Sequence, residues 1–398
     1  MKIIHTLKRA LKQVPDAFSC YQVDLICRLM GALIQTRSVN LKRLAAALSG
    51  SAQIDSHYRR LQRFFSSDLS PQVFTPLIAQ RLVRPGKPLF LTLDRTHWRY
   101  GQTHQNLLCL GLLHKRVSIP VETCSLGKAG NSSTRERKQL LKKALSYLPI
   151  AQCCLLADRE FISREWFQFL LRQRLDFVIR LRSNHWIKKT NGDHMHLEYS
   201  TRRQKKNTTR IYENALLYGR VHLHIICHRP AQGTRLFLVT NRDDVHQAVT
   251  LYKQRWAIET AFGFLKSKGF DLETTRLMQP ERMQRLMGVL SLCLLWGLLV
   301  GDHLQQRKAT PIKKHGQRAI SLFRRGLDYL QHLLANAKEK GKQAYCINSL
   351  HQLDIIFHMY EDDNEDWLHH TTGGGPPNHG KWYMNPRMRA ARNLTSDP

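Results

Sequence analysis

Residues 89–94 read Leu-Phe-Leu-Thr-Leu-Asp, and residues 153–158 read Cys-Cys-Leu-Leu-Ala-Asp. Each is a short run of strand-type side chains that stops on an aspartate. Two such buried strands set side by side in one sheet place Asp94 and Asp158 together at its edge, where polar groups can meet solvent and metal. An acid ending a strand is also a common turn residue, so neither aspartate decides anything alone. Working outward, residues 107–113, 117–123, 177–181 and 236–240 are further strand-type runs, and 133–147 and 164–173 have helical character. Strands interleaved with helices predict an α/β layer, not an all-β barrel.

Between 184 and 233 the pattern changes to alternation. Val221, Leu223 and Ile225 fall on one strand face and His222 and His224 on the other, with Tyr218-Gly219 as a hairpin turn. This predicts a β-rich insertion between a first core part, 86–183, and a second, 234–305. Residues 1–85 read as helices. Leu41, Leu44, Ala45 and Leu48 recur at helical spacing; after Ser49-Gly50-Ser51, so do Tyr58, Leu61, Phe64 and Phe65, with Arg59, Arg60 and Arg63 on other faces. That is the outline of a helix-turn-helix, and equally of any small helical bundle. Asn241, Asp243 and Asp244 suit the start of a long helix that runs to about Lys268, where Gly269 suits its stop. Residues 306–361 read as a helical C-terminal region, and 362–398 as a disordered tail rich in glycine and proline between 371 and 377.

Lys and Arg number 62 against 30 Asp and Glu, a formal charge of +32 on 398 residues, spread along the chain. Self-repulsion on this scale disfavours a compact fold unless a polyanion is nearby, and nucleic acid is the usual one. A membrane partner is not expected. The apolar run 286–300 is short for a bilayer span and reads as a core helix, and residues 1–10 lack the apolar stretch of a signal peptide. Nine cysteines without a Cys-x-x-Cys pair argue against a disulfide framework or zinc knuckle and fit a reducing cytoplasm.

Residues 251–266 read LYKQRWAIETAFGFLK. Tyr252, Arg255, Glu259 and Lys266 are three, four and seven residues apart. On an α-helix their directions fall within a stripe about 60° wide and about 21 Å long. The bland alternative is a solvated face with an Arg255–Glu259 ion pair, which leaves Tyr252 and Trp256 without a role.

This spacing resembles the Tyr-x2-Arg-x3-Glu-x6-Lys signature of bacterial insertion-sequence DDE transposases, and Arg255-Trp256-Ala257-Ile258-Glu259 resembles their Arg-Trp-x-Ile-Glu core. Leu93-Asp94-Arg95-Thr96 and Ala157-Asp158-Arg159-Glu160-Phe161 are similar to the first and second acid segments of the same family. The resemblance covers about 88–300. It implies an RNase H-like catalytic domain with a β-rich insertion, and a DNA transposase that nicks transposon ends and joins them to target DNA. It implies Asp94, Asp158 and Glu259 as the catalytic and metal-binding triad, holding two Mg²⁺ or Mn²⁺ ions. Tyr252, Arg255 and Lys266 would contact DNA phosphates, with Trp256 beside them as a further DNA contact. A homodimer on DNA, in the cytoplasm of a bacterium and associated with its nucleoid, completes the implied picture. The alternatives are a nuclease that hydrolyses without joining and an inactive DNA-binding repressor. In one respect the chain departs from relatives that hold a flipped base with an aromatic of the insertion. No Trp lies between Trp186 and Trp256, leaving Trp186 as a candidate stacker or an ordinary surface Trp.

Other signals are weaker. His222, His224, Cys227 and His228 could form a zinc cluster or simply a polar strand face. Arg135, Arg137, Lys138, Lys142 and Lys143 make a basic helix that could touch DNA or solvent. No Walker loop is present, so ATP use is not indicated.

Overall fold

In the computed structural model, which describes residues 18–314 and 316–339, Leu155 and Ala157 enter one apolar core while Cys154 and Leu156 enter another. The strand that carries them, β4 (Cys153–Ala157), is therefore covered on both faces, which is why its sequence has no polar alternation. Its neighbours are β1 (Leu89–Tyr100) and β5 (Asp176–Arg180), both parallel to it. β1 is also paired with antiparallel β2 (Thr103–His114), and β2 with antiparallel β3 (Val117–Ser125).

Beyond β5 the sheet continues through antiparallel β10 (Leu236–Thr240), β9 (Val221–Arg229) and β8 (Thr208–Leu217) to β6 (Trp186–Lys188) and β7 (His194–His196). The full order is β3-β2-β1-β4-β5-β10-β9-β8-β6-β7, ten strands in one sheet. Its first half, 3-2-1-4-5 with only β2 reversed, is the RNase H-like arrangement, and the β-rich insertion extends the same sheet. Tyr218 and Gly219, at φ 52° and 69°, make the β8–β9 turn, a conformation suited to a two-residue hairpin.

β1 differs from the expectation of a strand ending at Asp94. It runs on to Tyr100, with Thr96 and Trp98 buried and His97 and Arg99 exposed. Once past β4 it loses cover on one face, so its pattern changes from continuously apolar to alternating.

The larger core lies between the sheet and the helices. Those are α1 (Cys20–Thr36), α2 (Leu41–Ala47), α3 (Ile54–Phe65), α4 (Phe74–Leu82), α5 (Thr134–Leu145) and α6 (Arg164–Arg172), followed later in the chain by α9 to α11. Between α6 and α9 come the short α7 (Leu197–Ser200) and α8 (Ala248–Lys253). α9 spans Ala257–Leu265, α10 Pro280–Arg307 and α11 Leu322–Glu339. By length and composition α10 could cross a membrane, but 83% of its apolar window is buried in the protein, as expected of a core helix. α11 lies close against it: a Cβ on Gly301 would overlap the Leu322 carbonyl, and one on Gly326 the Gly297 carbonyl.

The helical N-terminal region is strapped to this body. Arg285 of α10, 7% exposed, donates to the carbonyls of Phe65 (2.8 Å) and Leu69 (2.7 Å), and Arg37 pairs with Asp328 of α11. α2, a short connection and α3 have the helix-turn-helix order expected from sequence, with Leu44, Ala45, Leu61, Phe64 and Phe65 buried. The expectations for residues 1–17, for the helical region past 339 and for the 362–398 tail lie outside the described residues.

Candidate active site

Register sets the first two acids level. Leu93 of β1 pairs with Ala157 of β4, so Asp94 and Asp158 follow on adjacent parallel strands. Asp94 sits inside β1 opposite Cys109 of β2, and Asp158 just past the end of β4.

The third acid arrives on a helical run that lies along the face of β1 carrying Asp94. Ala248, Leu251 and Tyr252 of α8 pack into the smaller core, against which Phe90 of β1 also packs. Ile258, Ala261, Phe262 and Leu265 of α9 pack into the larger core, and Lys266 just beyond them lies over Trp98, on the same strand face as Phe90 and Asp94. Between them Gln254–Trp256 tightens into a 3₁₀ turn, in place of the single helix the sequence suggested. Asp244 precedes the run without a side-chain cap, and α9 stops at Leu265, short of Gly269. This run carries the predicted stripe over the edge where the aspartates lie. Tyr252 Oη donates to Asp158 Oδ1 at 3.0 Å. Arg255 donates from Nη1 to Asp94 Oδ2 at 3.0 Å and from Nη2 to Glu259 Oε1 at 2.7 Å. Lys266 Nζ donates to the His97 carbonyl at 3.1 Å, pairs with Glu273 at 2.8 Å and lies over the Trp98 ring. Trp256 points outward, 63% exposed.

The burial of the site shows in the titration of Asp94. Burial pushes its carboxyl up to about 6, against the Arg95 amide and the Arg255 guanidinium, which favour the ionised form; Glu259 and Asp158 push it further up. The Tyr252 hydroxyl is raised to about 12 by burial and by the Asp158 charge, so it remains a donor. Among the described residues no three His, Cys, Asp or Glu side chains stand ready as a metal cage; Arg255 lies between Asp94 and Glu259 instead. The donor set still suits a hard dication: carboxylate oxygens only.

Two charged residues here were not singled out from sequence. Arg95 pairs with Glu160 at 2.5 Å and donates to the Gly130 carbonyl and Asn131, binding the first acid segment to the second. Arg180, at the end of β5, lies 3.8 Å from Asp158. The available signal was their position, one or two residues beyond an acid or at a strand end. Other candidates fall away from the site. Trp186 is 60% exposed on β6, with β5, β10, β9 and β8 between it and β4. His222 and His224 hydrogen-bond to Asn214, His228 to Thr209, and Cys227 is buried on the opposite face, so the four do not converge. On α5, Arg137 turns inward to Ser132 and over the Phe161 ring, while Lys138 pairs with Glu165.

An RNase H-like sheet with carboxylates gathered from β1, the end of β4 and a following helix defines a class of nucleic-acid phosphoryl-transfer enzymes. Residues 87–296, more than half of the 398, match the family described as transposase DDE domain, and the chain belongs to that family. It is a DNA transposase, a metal-dependent enzyme that cleaves DNA and transfers strands. Among solved structures, the chain is similar to piggyBac transposase in a synaptic complex with hairpin DNA. Identity is 14% and the TM-score 0.46, over 89% of this chain and 83% of that one. It is also similar to endonuclease V from Bacillus subtilis, with 12% identity and a TM-score of 0.22 over 61% of this chain and 96% of that one. No curated protein matches it.

Proposed function

We propose that Asp94, Asp158 and Glu259 are the catalytic carboxylates of an insertion-sequence transposase of the Tyr-Arg-Glu-Lys type, and that they bind Mg²⁺ or Mn²⁺, two ions per site. The observation that carries this reading is the convergence of the three acids with Tyr252 and Arg255 at one sheet edge, each held by a side chain of the signature. The ions supply a Lewis acid for the scissile phosphate and lower the pKa of the attacking water or 3′-hydroxyl. The chain's own cations do the positioning. Arg255 presents a two-pronged donor to phosphate, Lys266 and Arg180 present charge, and exposed Trp256 offers a flat face to a base or sugar.

End recognition is assigned to α3. Asp55, Ser56, Arg59, Gln62 and Arg63 are exposed along it, a row of side chains able to reach base edges and phosphates in a major groove. The substrate is then the pair of transposon ends and a target duplex, handled by a homodimer on DNA in the bacterial nucleoid. The test is cleavage of duplex carrying the element's ends. Asp94→Asn, Asp158→Asn and Glu259→Gln should each abolish metal-dependent nicking while leaving end binding largely intact, and the three losses should not add. Near-normal nicking by any one variant would remove that residue from the triad. Hydrolysis without joined products would make the enzyme a nuclease.

A further inference from the structure

Resting on the assignment of Asp94 and Glu259 as metal ligands, we infer that the Arg255 guanidinium stands in for the metal in the DNA-free protein. A DNA phosphate that draws Arg255 away then opens the metal site, so DNA and the divalent ion bind cooperatively.

Both prongs of the Arg255 fork are engaged, Nη1 on Asp94 and Nη2 on Glu259, and the side chain is 9% exposed. An ion bridging these two carboxylates must contact oxygens at about 2.0–2.1 Å. A guanidinium bonded to both oxygens occupies the same gap and serves the same neutralising role, so ion and guanidinium exclude one another there. Without DNA, an incoming ion must displace a buried arginine from both carboxylates at once. With DNA, a phosphate offers the fork an equivalent bidentate partner, and the carboxylates it leaves are free for the ion. Lysine would do this less well, because its ammonium is a point charge without the planar fork that matches phosphate bidentately. The neighbours repeat the pattern: Tyr252 is committed to Asp158 and Lys266 to Glu273. The side chains suited to gripping DNA are thus held by acids when DNA is absent. Linkage makes the effect reciprocal: whatever factor DNA adds to metal affinity, metal adds to DNA affinity.

The experiment is Mn²⁺ binding to the full chain by electron paramagnetic resonance, without DNA, with random duplex, and with duplex bearing the terminal sequence of the element that carries the gene. Duplex alone is subtracted. End duplex should tighten Mn²⁺ binding by about 5- to 150-fold. Arg255→Gln should bind Mn²⁺ that tightly without DNA and gain no more than about twofold from it. Arg255→Lys, which keeps the charge, should fall between and covers the case in which the glutamine variant misfolds. Wild-type affinity that no duplex changes, or an Arg255→Gln chain that binds Mn²⁺ more weakly than wild type, overturns the inference. Adding Glu259→Gln to Arg255→Gln separates the two layers. Loss of Mn²⁺ binding in the double variant upholds the ligand assignment, whereas unchanged binding overturns that assignment itself.

Discussion

Asp94 is a residue the fold keeps at a cost. Its carboxyl is pushed up to about 6 in the folded chain from an ordinary 3.8, because burial outweighs the Arg95 amide and Arg255. The folded-state pKa is raised, so this group contributes stability that is fully present below about pH 4 and lost as pH rises through about 6. A shift of roughly two units corresponds to about 3 kcal/mol. Metal-free Asp94→Asn should therefore be more stable than wild type at pH 7, and its denaturation midpoint should be flatter between pH 4 and 6, while cleavage is lost. Denaturant titrations at several pH values would check this, and an Asn variant less stable than wild type at pH 7 would refute it. At this scale the acids and the Tyr-Arg-Glu-Lys spacing were legible, because both are local. The Arg95–Glu160 latch was not: its partners are 65 residues apart, and single charges leave no periodic trace.

Among the elements, the α8–α9 run and the α10–α11 pair show what periodicity reveals and what it hides. The stripe from Tyr252 to Glu259 was readable as one helical face, and those side chains do converge. The 3₁₀ turn at Gln254–Trp256 was not, because no proline or glycine marks it. The length of β1 was hidden in a similar way, its apolar half ending where β4 ends and its alternating half resembling a turn-rich loop. Between α10 and α11, glycines allow backbone to meet backbone. Gly326→Ala and Gly301→Ala should each destabilise by about 1–3 kcal/mol or more, since the obstructing atoms are carbonyls that cannot rotate aside. Thermal melts would show this; an unchanged midpoint for either would mean the helices can separate freely.

For the whole molecule, a charge of +32 governs association. Two free subunits repel, and phosphates that neutralise the facing surfaces relieve the repulsion. The expected behaviour is a monomer without DNA and a two-protein, two-end complex with it, measured by light scattering across a salt range. A stable DNA-free dimer at moderate salt would contradict the DNA-driven part.

The latch from Arg285 to the Phe65 and Leu69 carbonyls has a consequence for where the enzyme cuts. It fixes the end of α3 to the helix that buttresses the catalytic sheet, so, with α3 reading the ends as proposed, the molecule would act as a ruler between the bases read and the bond broken. Each added base pair moves the scissile phosphate by about 3.4 Å and turns it by roughly 35° about the duplex axis. A ruler of fixed length cannot follow that rotation. One base pair inserted between the recognised sequence and the cut site should therefore silence cleavage or leave it at the original distance from the recognised bases, and the cut should not follow the displaced terminus.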